Sequence, residues 1–160
     1  MTAAAVLAAA RAKGWRIATA ESCTGGLLAG ALTEIPGSSD VFERGFVTYS
    51  NASKTEMLGV DPVLISAYGA VSEEVAAAMA QGALVRSEAA LAVSTTGIAG
   101  PGGSEFKPEG RVCFGIAGPE GVSTQTIDFG ALGRAKVRAA AVETALRLLA
   151  VALDQAAPNS

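Results

Sequence analysis

The sequence predicts an α/β domain: a three-layer α/β/α sandwich around a mixed, mostly parallel β-sheet with one antiparallel hairpin. Helix-like and strand-like segments alternate along most of the 160 residues, which favours parallel strands connected by helices. Two strand-like segments near the C-terminal end flank Gly118-Pro119-Glu120-Gly121, a signal for an antiparallel hairpin. The length and the 50% hydrophobic content predict one domain over 1–160 with a core of its own.

The N-terminal part begins with an alanine-rich segment that predicts a helix over 2–13. Gly14 closes this helix in the left-handed C-cap position that glycine favours. A short apolar strand over 16–20 follows. The turn at 22–26 then leads into a helix over 27–35, in which leucine and alanine residues share one face.

The middle of the chain predicts a strand over 46–49 and two helices. Asn51 is a favourable N-cap for a helix over 52–58. Proline and glycine in 60–70 indicate a loop. A helix over 72–87 starts with a serine followed by two acidic residues, as the helix dipole prefers.

The C-terminal part predicts three strands and a long helix. The strand over 90–95 runs into a glycine-rich segment, and the two strands of the hairpin cover 111–117 and 122–128. The final helix covers 132–153, and we expect the tail over 155–160 to be frayed.

Composition argues against several classes of partner. The net charge is -3, no block of Lys or Arg stands out, and aromatic residues make up 5%, so we expect no nucleic-acid binding. No apolar run approaches the ~20 residues that span a membrane, and the N-terminal segment lacks the pattern of a secretory signal. The two cysteines make no disulfide framework, which indicates a reducing compartment, so we expect a cytoplasmic protein. Two cysteines alone also make a poor metal site, and we expect neither a metal nor another cofactor.

The absence of histidine from the sequence restricts the chemistry further. It excludes Ser-His-Asp and Cys-His catalysis, and it excludes zinc sites built on imidazole. If the protein is a hydrolase, its general base must therefore be a lysine, a tyrosine, a carboxylate or an activated water.

The segment Ala20-Glu21-Ser22-Cys23-Thr24-Gly25-Gly26 places a serine between a predicted strand and a predicted helix. Ligand sites in open α/β sheets lie at the carboxyl ends of strands, and a helix N-terminus offers N–H groups to an oxyanion or a phosphate. Ser22 is therefore the candidate nucleophile, and Thr24, Gly25 and Gly26 are candidate ligand-binding residues. The alternative is that Ser22 or Thr24 only caps the helix.

A second candidate pair lies in Tyr49-Ser50-Asn51-Ala52-Ser53-Lys54. Tyr49 ends the predicted strand, and Lys54 falls in the first turn of the next helix. The helix dipole disfavours a cation there, and partial burial would add to this effect and lower the pKa of the amine. A neutral amine is the kind of general base that a histidine-free enzyme needs. The alternative is an ordinary solvated lysine.

The third candidate segment is the glycine-rich stretch at 97–103, which Thr96 precedes. Glycines let the backbone N–H groups approach a ligand closely, so Thr96, Gly97, Ala99 and Gly100 are candidate binding residues. A mobile surface loop is the alternative. Because all three candidate segments follow predicted strands, we expect them to converge on one edge of the sheet.

Two neighbours of Ser22 leave alternatives open. Cys23 is a rival nucleophile, but without a histidine its activation would depend on the helix dipole or on Lys54. The other role for Cys23 is packing beneath the turn. Glu21 is either a partner of Lys54 or Tyr49 or a solvated acid at the end of the strand.

These three segments, together with 107–112 before the hairpin, resemble the CinA C-terminal domain family over nearly the whole chain. The resemblance implies hydrolysis of the carboxamide of nicotinamide mononucleotide to nicotinate mononucleotide and ammonia, in pyridine nucleotide salvage. It further implies that Ser22 is the nucleophile, that Lys54 and Tyr49 are its catalytic partners, and that Thr96 is a site residue.

The resemblance carries three more expectations. Arg134 resembles the family's arginine near the start of the last helix, with Arg138 as a near competitor. A homo-oligomer is expected, with a dimer favoured, and no cofactor. Because some family members are described through competence or DNA damage, the alternatives are a non-catalytic nucleotide-binding module and an amidase that acts on another small amide.

Overall fold

Helices and strands alternate in the computed structural model, which describes residues 2–104 and 106–156. A 3₁₀ turn at Ser38–Asp40 interrupts the connection between the second helix and the second strand. In chain order the elements are α1 (Ala3–Lys13), β1 (Ile17–Glu21), α2 (Leu27–Thr33), β2 (Phe42–Val47), α3 (Asn51–Leu58), α4 (Pro62–Tyr68), α5 (Glu73–Val85), β3 (Leu91–Gly97), β4 (Arg111–Gly118), β5 (Gly121–Asp128) and α6 (Arg134–Gln155).

The strands form one five-stranded mixed sheet in the order β2-β1-β3-β4-β5, which confirms the predicted fold class. The strands β2, β1 and β3 run parallel, and the predicted hairpin pairs β4 with β5. The strand β4 is also antiparallel to β3, so the hairpin extends the parallel part at one side. In β1, Glu21 lies opposite Val47 of β2 and Thr95 of β3, so the parallel strands end at a common edge.

Helices cover the two faces of this sheet and complete the three layers. One apolar cluster joins α1, α2 and α6 to inward residues such as Ile17 and Val93. A second cluster joins α3, α4 and α5 to residues of the opposite face, among them Ala18 and Ala92. The alternation of Ile17 and Ala18 between the two clusters follows the period of two in a strand.

The helix α5 packs very closely on the sheet. The Ser94 hydroxyl in β3 donates a hydrogen bond of 2.6 Å to the carbonyl oxygen of Ala76 in α5. A Cβ atom at Gly115 in β4 would overlap the same carbonyl group. Glycine is therefore required at this position by the close approach of the helix backbone.

The segment at 60–70, predicted as a loop, contains the helix α4, so that prediction is wrong. The Asp61 side chain accepts a hydrogen bond from the Val63 N–H, and Pro62 occupies the first turn. Both features stabilise a helix start. Ile65 packs in the second apolar cluster, and this tertiary contact gives the short helix its support.

The strand β2 and the cap of α3 also differ from the prediction. The strand covers Phe42–Val47, so it begins four residues earlier than predicted and ends before Tyr49. Ser50, rather than Asn51, is the N-cap of α3, because the Ser50 hydroxyl accepts from the Ser53 N–H. Serine and asparagine are equally good caps, so local preference could not distinguish them.

The C-terminal helix continues through Gln155, the first residue of the predicted frayed tail. Residues 157–160 of that tail lie outside the described residues. At the other end, α1 ends at Gly14 in the left-handed conformation, as predicted. None of the helices in 2–104 and 106–156 is long and apolar enough to cross a membrane.

The close packing of α5 predicts opposite outcomes for two Gly→Ala substitutions. Gly115→Ala should lower the free energy of unfolding by about 1–3 kcal/mol, because the added methyl group must displace the Ala76 backbone. Gly30→Ala in α2 meets open space and should stabilise by about 0.5–1 kcal/mol. Urea denaturation of the two variants measures both changes, and equal stability of Gly115→Ala and the parent protein would contradict the packing argument.

Candidate active site

A cavity of about 330 Å³ opens where the parallel strands end. Its volume falls at the lower end of the range of about 300–1,000 Å³ that is usual for small-molecule sites. The predicted site residues lie in its wall, with the exception of Thr24, Gly25 and Gly26. The lining consists of Ser22, Cys23, Tyr49, Asn51, Lys54, Ala70, Val71, the segment 96–104 and Arg134.

Ser22 and Lys54 form a buried pair at the base of this cavity. Ser22 follows β1 directly, and its N–H donates a hydrogen bond of 2.9 Å to the carbonyl oxygen of Thr95 in β3. Lys54 comes from α3, and its Nζ lies 2.9 Å from Ser22 Oγ. Lys54 is 1% exposed and Ser22 is 7% exposed, so the alternative of an ordinary solvated lysine is wrong.

Backbone carbonyl groups hold the lysine in this position. Lys54 Nζ lies 2.9 Å from the carbonyl oxygen of Thr48 and 3.3 Å from that of Tyr49. Both carbonyls belong to the segment between β2 and α3. The lysine amine is therefore aimed at Ser22 by the polypeptide that leads into its own helix.

Tyr49 contacts Lys54 through its main-chain carbonyl group, while its side-chain hydroxyl is bonded to Arg134. The Tyr49 hydroxyl accepts a hydrogen bond of 2.7 Å from Arg134 Nη2. Arg134 Nη1 donates to the carbonyl oxygen of Gly100 in the glycine-rich segment, at 2.8 Å. Tyr49 and Arg134 thus link the loop after β2, the start of α6 and the glycine-rich segment across the mouth of the cavity.

The buried carboxylate of Glu21 organises the turn that carries Ser22. Glu21 is fully buried, and it accepts hydrogen bonds from the Thr24 hydroxyl at 2.5 Å and from the N–H groups of Leu28 and Ala29 at 2.9 and 3.0 Å. The expectation of a solvated acid is therefore wrong. These donors tie Glu21 to the first turn of α2.

This role of Glu21 explains why Thr24, Gly25 and Gly26 are not brought into the cavity wall. The N-terminal end of α2 faces a carboxylate of the chain itself, and the Thr24 hydroxyl also contacts Thr95 Oγ1 at 2.8 Å. The Gly25 N–H donates to the Ser22 carbonyl oxygen. Within the described part of the chain, the N–H groups of Cys23 and Thr24 make no hydrogen bond to another backbone group.

The two arginines of α6 have different positions. Arg134 lines the cavity, as predicted, whereas Arg138 lies behind the turn. Arg138 Nε donates to the carbonyl oxygen of Cys23 at 3.1 Å, and Arg138 Nη2 donates to that of Thr24 at 3.3 Å. Arg138 therefore supports the turn, and Arg134 is the arginine that faces the cavity.

Cys23 lies in the wall beside Ser22, but its thiol is poorly suited to attack. Burial raises the pKa of Cys23 to about 12, although Lys54 and Arg138 lie near enough to oppose the shift. The nucleophile in cysteine chemistry is the thiolate. Packing beneath the turn is consequently the role that the structure favours for Cys23.

The glycine-rich segment is bonded to the connection between α4 and α5, which sequence reasoning did not assign to the site. The Thr96 hydroxyl donates to the carbonyl oxygen of Ala70 at 2.8 Å. Lys107 Nζ donates to the carbonyl oxygens of Tyr68, at 2.7 Å, and Val71. Ala70 and Val71 line the cavity, although nothing in their residue types signals a site.

Asn51 is the other lining residue that sequence reasoning assigned differently. It was expected to cap α3, but Ser50 takes that position. No group of three or more His, Cys, Asp or Glu residues that could hold a metal ion exists among the residues that the structure describes.

The fold and this pair define a class of site: a serine at the carboxyl edge of an α/β sheet with a lysine amine within hydrogen-bond distance, the arrangement that a serine nucleophile and its base would require. The family model of the CinA C-terminal domain matches residues 1–153, and the chain belongs to this family, as the resemblance predicted.

Relatives of the chain include proteins of different lengths. A CinA-like protein of Chlorobium phaeobacteroides (strain BS1) is 57% identical over 146 residues, which cover 88% of this chain and 35% of that protein. The nicotinamide-nucleotide amidohydrolase PncC of Enterobacter agglomerans is 59% identical over 115 residues, which cover 71% of this chain and 70% of that protein. This chain thus spans about a third of the length of the first relative and more than two thirds of the second.

Solved structures share the fold. The competence/damage inducible protein CihA from Agrobacterium tumefaciens is 50% identical, with a TM-score of 0.91 over 96% of this chain and 93% of that chain. A competence-damaged protein (CinA) superfamily protein from Klebsiella pneumoniae is 35% identical, with a TM-score of 0.92 over 96% of each chain.

The buried thiols lead to a prediction about reactivity. With the pKa of Cys23 raised to about 12, the group remains a thiol throughout the neutral range and ionises only as the pH approaches that value. At pH 8 about one molecule in ten thousand would carry the thiolate. Burial also raises the pKa of Cys113. We therefore expect iodoacetamide to leave both cysteines unmodified in the native protein at pH 8 and to modify both after unfolding, as measured by intact mass.

Rapid labelling of Cys23 in the native protein would contradict this assignment. As a functional counterpart, Cys23→Ala should retain any turnover at the Ser22–Lys54 pair within about tenfold, because the substitution removes packing atoms and leaves both side chains in place.

Because Glu21 caps α2, replacing one of its carboxylate oxygens by an amide nitrogen should have a large effect on the stability of the fold. Glu21→Gln should lower the free energy of unfolding by about 2–4 kcal/mol, because its amide nitrogen would face donors that now meet a carboxylate oxygen. Glu34→Gln is the matched control at the other end of α2, where an exposed acid opposes the helix dipole, and it should be neutral or slightly stabilising. Similar denaturation midpoints for the two variants would contradict the role of Glu21.

Proposed function

We propose that the chain is an amidohydrolase that converts nicotinamide mononucleotide and water to nicotinate mononucleotide and ammonia. The observation that carries the proposal is the buried contact of 2.9 Å between Ser22 Oγ and Lys54 Nζ. The name of the PncC relative supports the choice of substrate. A role in pyridine nucleotide salvage, a cytoplasmic location and a homodimer are further parts of this proposal that rest on the family resemblance.

In the proposed mechanism, Lys54 acts as the general base for Ser22. A neutral amine can donate its two protons to the carbonyl oxygens of Thr48 and Tyr49 and accept the Ser22 proton through its lone pair. Removal from water favours the neutral form of an amine over the ammonium ion. The contacts of Lys54 thus accommodate the neutral form that a base requires.

The reaction then proceeds through an acyl-enzyme. Ser22 Oγ attacks the amide carbon while Lys54 takes its proton, and a tetrahedral intermediate forms. Lys54 returns the proton to the amide nitrogen, the carbon–nitrogen bond breaks, and ammonia leaves. A water molecule next attacks the ester carbonyl with Lys54 again as base, which releases the carboxylate product and restores Ser22.

The oxyanion of the tetrahedral intermediate needs donors beside Ser22. The N–H group of Cys23 follows the proposed nucleophile directly in the cavity wall. A well-placed donor of this kind contributes roughly 3–4 kcal/mol to the transition state. We assign the oxyanion to the Cys23 N–H. Thr24, Gly25 and Gly26, which were predicted to bind the substrate, lie outside the cavity wall and contribute to the shape of the turn instead.

We assign the substrate phosphate to the glycine-rich segment and Arg134. Glu21 fills the N-terminal end of α2, so a second anion there would be repelled. Arg134 stands at the opposite side of the mouth beside Gly100, and a guanidinium group suits phosphate geometry. The backbone around this position is that of Gly97, Ala99 and Gly100. The Thr96 hydroxyl is bonded to Ala70 in the neighbouring wall, and the Tyr49 hydroxyl is bonded to Arg134.

Release of ammonia tests this proposal. The purified protein should produce ammonia from nicotinamide mononucleotide without an added metal. Ser22→Ala and Lys54→Met should each lower kcat by at least about 10³-fold, because residues of such a unit act together. Ser53→Ala is a neighbouring control, because Ser53 is half-buried outside the cavity wall, and it should keep its activity. Full activity of Ser22→Ala would refute the nucleophile.

A small panel of substrates separates the alternatives. Binding of nicotinamide mononucleotide without ammonia release would indicate a nucleotide-binding module. Faster turnover of free nicotinamide or of nicotinamide riboside than of the mononucleotide would indicate an amidase for another small amide, since neither contains the phosphate assigned to Arg134.

A further inference from the structure

We propose that Lys107 is a positioning residue that fixes the glycine-rich segment 97–104 against the opposite wall of the cavity and thereby sets the affinity for the substrate phosphate. This inference rests on the proposed function, because it takes the phosphate to lie at that segment. Lys107 does not line the cavity, so it acts through the groups that it holds.

Lys107 bonds to both sides of the cavity at once. Its side chain donates to the carbonyl oxygens of Tyr68, the last residue of α4, at 2.7 Å, and of Val71 in the connection between α4 and α5. Its main chain pairs with Ser104, with hydrogen bonds of 2.8 Å from the Lys107 N–H and 3.1 Å from the Ser104 N–H. One residue therefore connects the end of the glycine-rich segment to the wall that contains Ala70 and Val71.

The glycine-rich segment is also bonded to Glu109 and Gly110, which follow Lys107 closely in the chain, so a displacement of Lys107 affects these bonds as well. The Gly102 N–H donates to Glu109 Oε1 at 2.9 Å, and the Gly110 N–H donates to the Ile98 carbonyl oxygen at 2.7 Å. The side chain of Glu109 also packs against Gly100, where a Cβ atom would overlap it. A shift at Lys107 would consequently move the backbone around Gly100, which is the part assigned to the phosphate.

The other bond to this wall does not have the same effect. The Thr96 hydroxyl holds the Ala70 carbonyl oxygen, but Thr96 belongs to β3 and is fixed by the sheet. Ser22 and Lys54 are likewise held by β1, β3 and α3. Loss of Lys107 should therefore change substrate binding and leave the chemical step nearly intact.

The test compares two substrates that differ by one phosphate. Lys107→Met should raise KM for nicotinamide mononucleotide by about tenfold or more, the usual effect of losing a hydrogen bond from a charged group. Its kcat should stay within about threefold, because the chemical step does not involve the loop. For nicotinamide riboside, KM should change much less. Lys107→Arg should recover most of the affinity, since a guanidinium can donate to both carbonyls.

Lys13→Met is the matched control. Lys13 also donates to a backbone carbonyl, that of Ala156 at 3.4 Å, and lies outside the cavity wall, so its loss should not alter KM. Equal changes in KM for the two substrates, an unchanged KM, or no recovery in Lys107→Arg would each overturn the proposal.

Hydrogen exchange tests the same inference without a substrate. In Lys107→Met, the amides of 97–104 should exchange faster while those of β1 and α3 keep their protection. Unchanged exchange in the segment would overturn the inference. If the parent protein releases no ammonia from nicotinamide mononucleotide, the proposed function fails, and the exchange rates still decide whether Lys107 fixes the loop.

Discussion

The buried carboxylate of Glu21 is the constraint on which the rest of the site depends. A carboxyl group that is removed from water requires hydrogen-bond donors around it, and the Thr24 hydroxyl and two N–H groups of α2 supply them. The same bonds fix the turn between β1 and α2, which carries Ser22. They also direct the positive end of α2 to an internal acid, so an anionic ligand must find its partners across the cavity, near Arg134. One buried acid thus determines both where Ser22 lies and which side of the cavity remains available to an anionic group.

The end of β2 at Val47 provides the hydrogen-bond acceptors that the buried amine of Lys54 needs. The strand stops at Val47, and the Thr48 N–H makes one more hydrogen bond, to the Glu21 carbonyl oxygen. The carbonyl groups of Thr48 and Tyr49 then turn toward the amine of Lys54. Because these acceptors belong to the backbone, they serve the amine in either protonation state. A chain without histidine can therefore place a base beside a serine by using a strand end and the helix that follows it.

The sequence predicted the parts of this structure that depend on local patterns. Helix α1 ends at Gly14, and β4 and β5 form the predicted hairpin. Both features depend on glycine, which adopts the positive φ angles of helix ends and tight turns, so one or two residues are enough to predict them. The helix α4 carried its own start signal in Asp61 and the following proline, but a short helix needs tertiary support that no local pattern reveals. The burial of Glu21 was missed for a related reason: an acid at a strand end is normally solvated, and its donors come from the next helix only after the turn has folded. The convergence of Ser22, Lys54 and the glycine-rich segment followed from strand direction alone, whereas the bonds of the Lys107 side chain follow from a loop geometry that spacing does not encode.

Chemistry and recognition are consequently supported by different parts of the fold. The Ser22–Lys54 contact depends on the ends of parallel strands and the first turn of α3, all of which are anchored in the sheet or its apolar clusters. The glycine-rich segment leaves the sheet after β3, and its shape depends on bonds from Glu109 and Lys107. A rigid base with a separately attached loop allows the loop to adjust to the ligand without moving the reacting atoms, whose alignment is sensitive to displacements of about 1 Å. Changes in the loop should accordingly alter which amide is bound before they alter how an amide is cleaved.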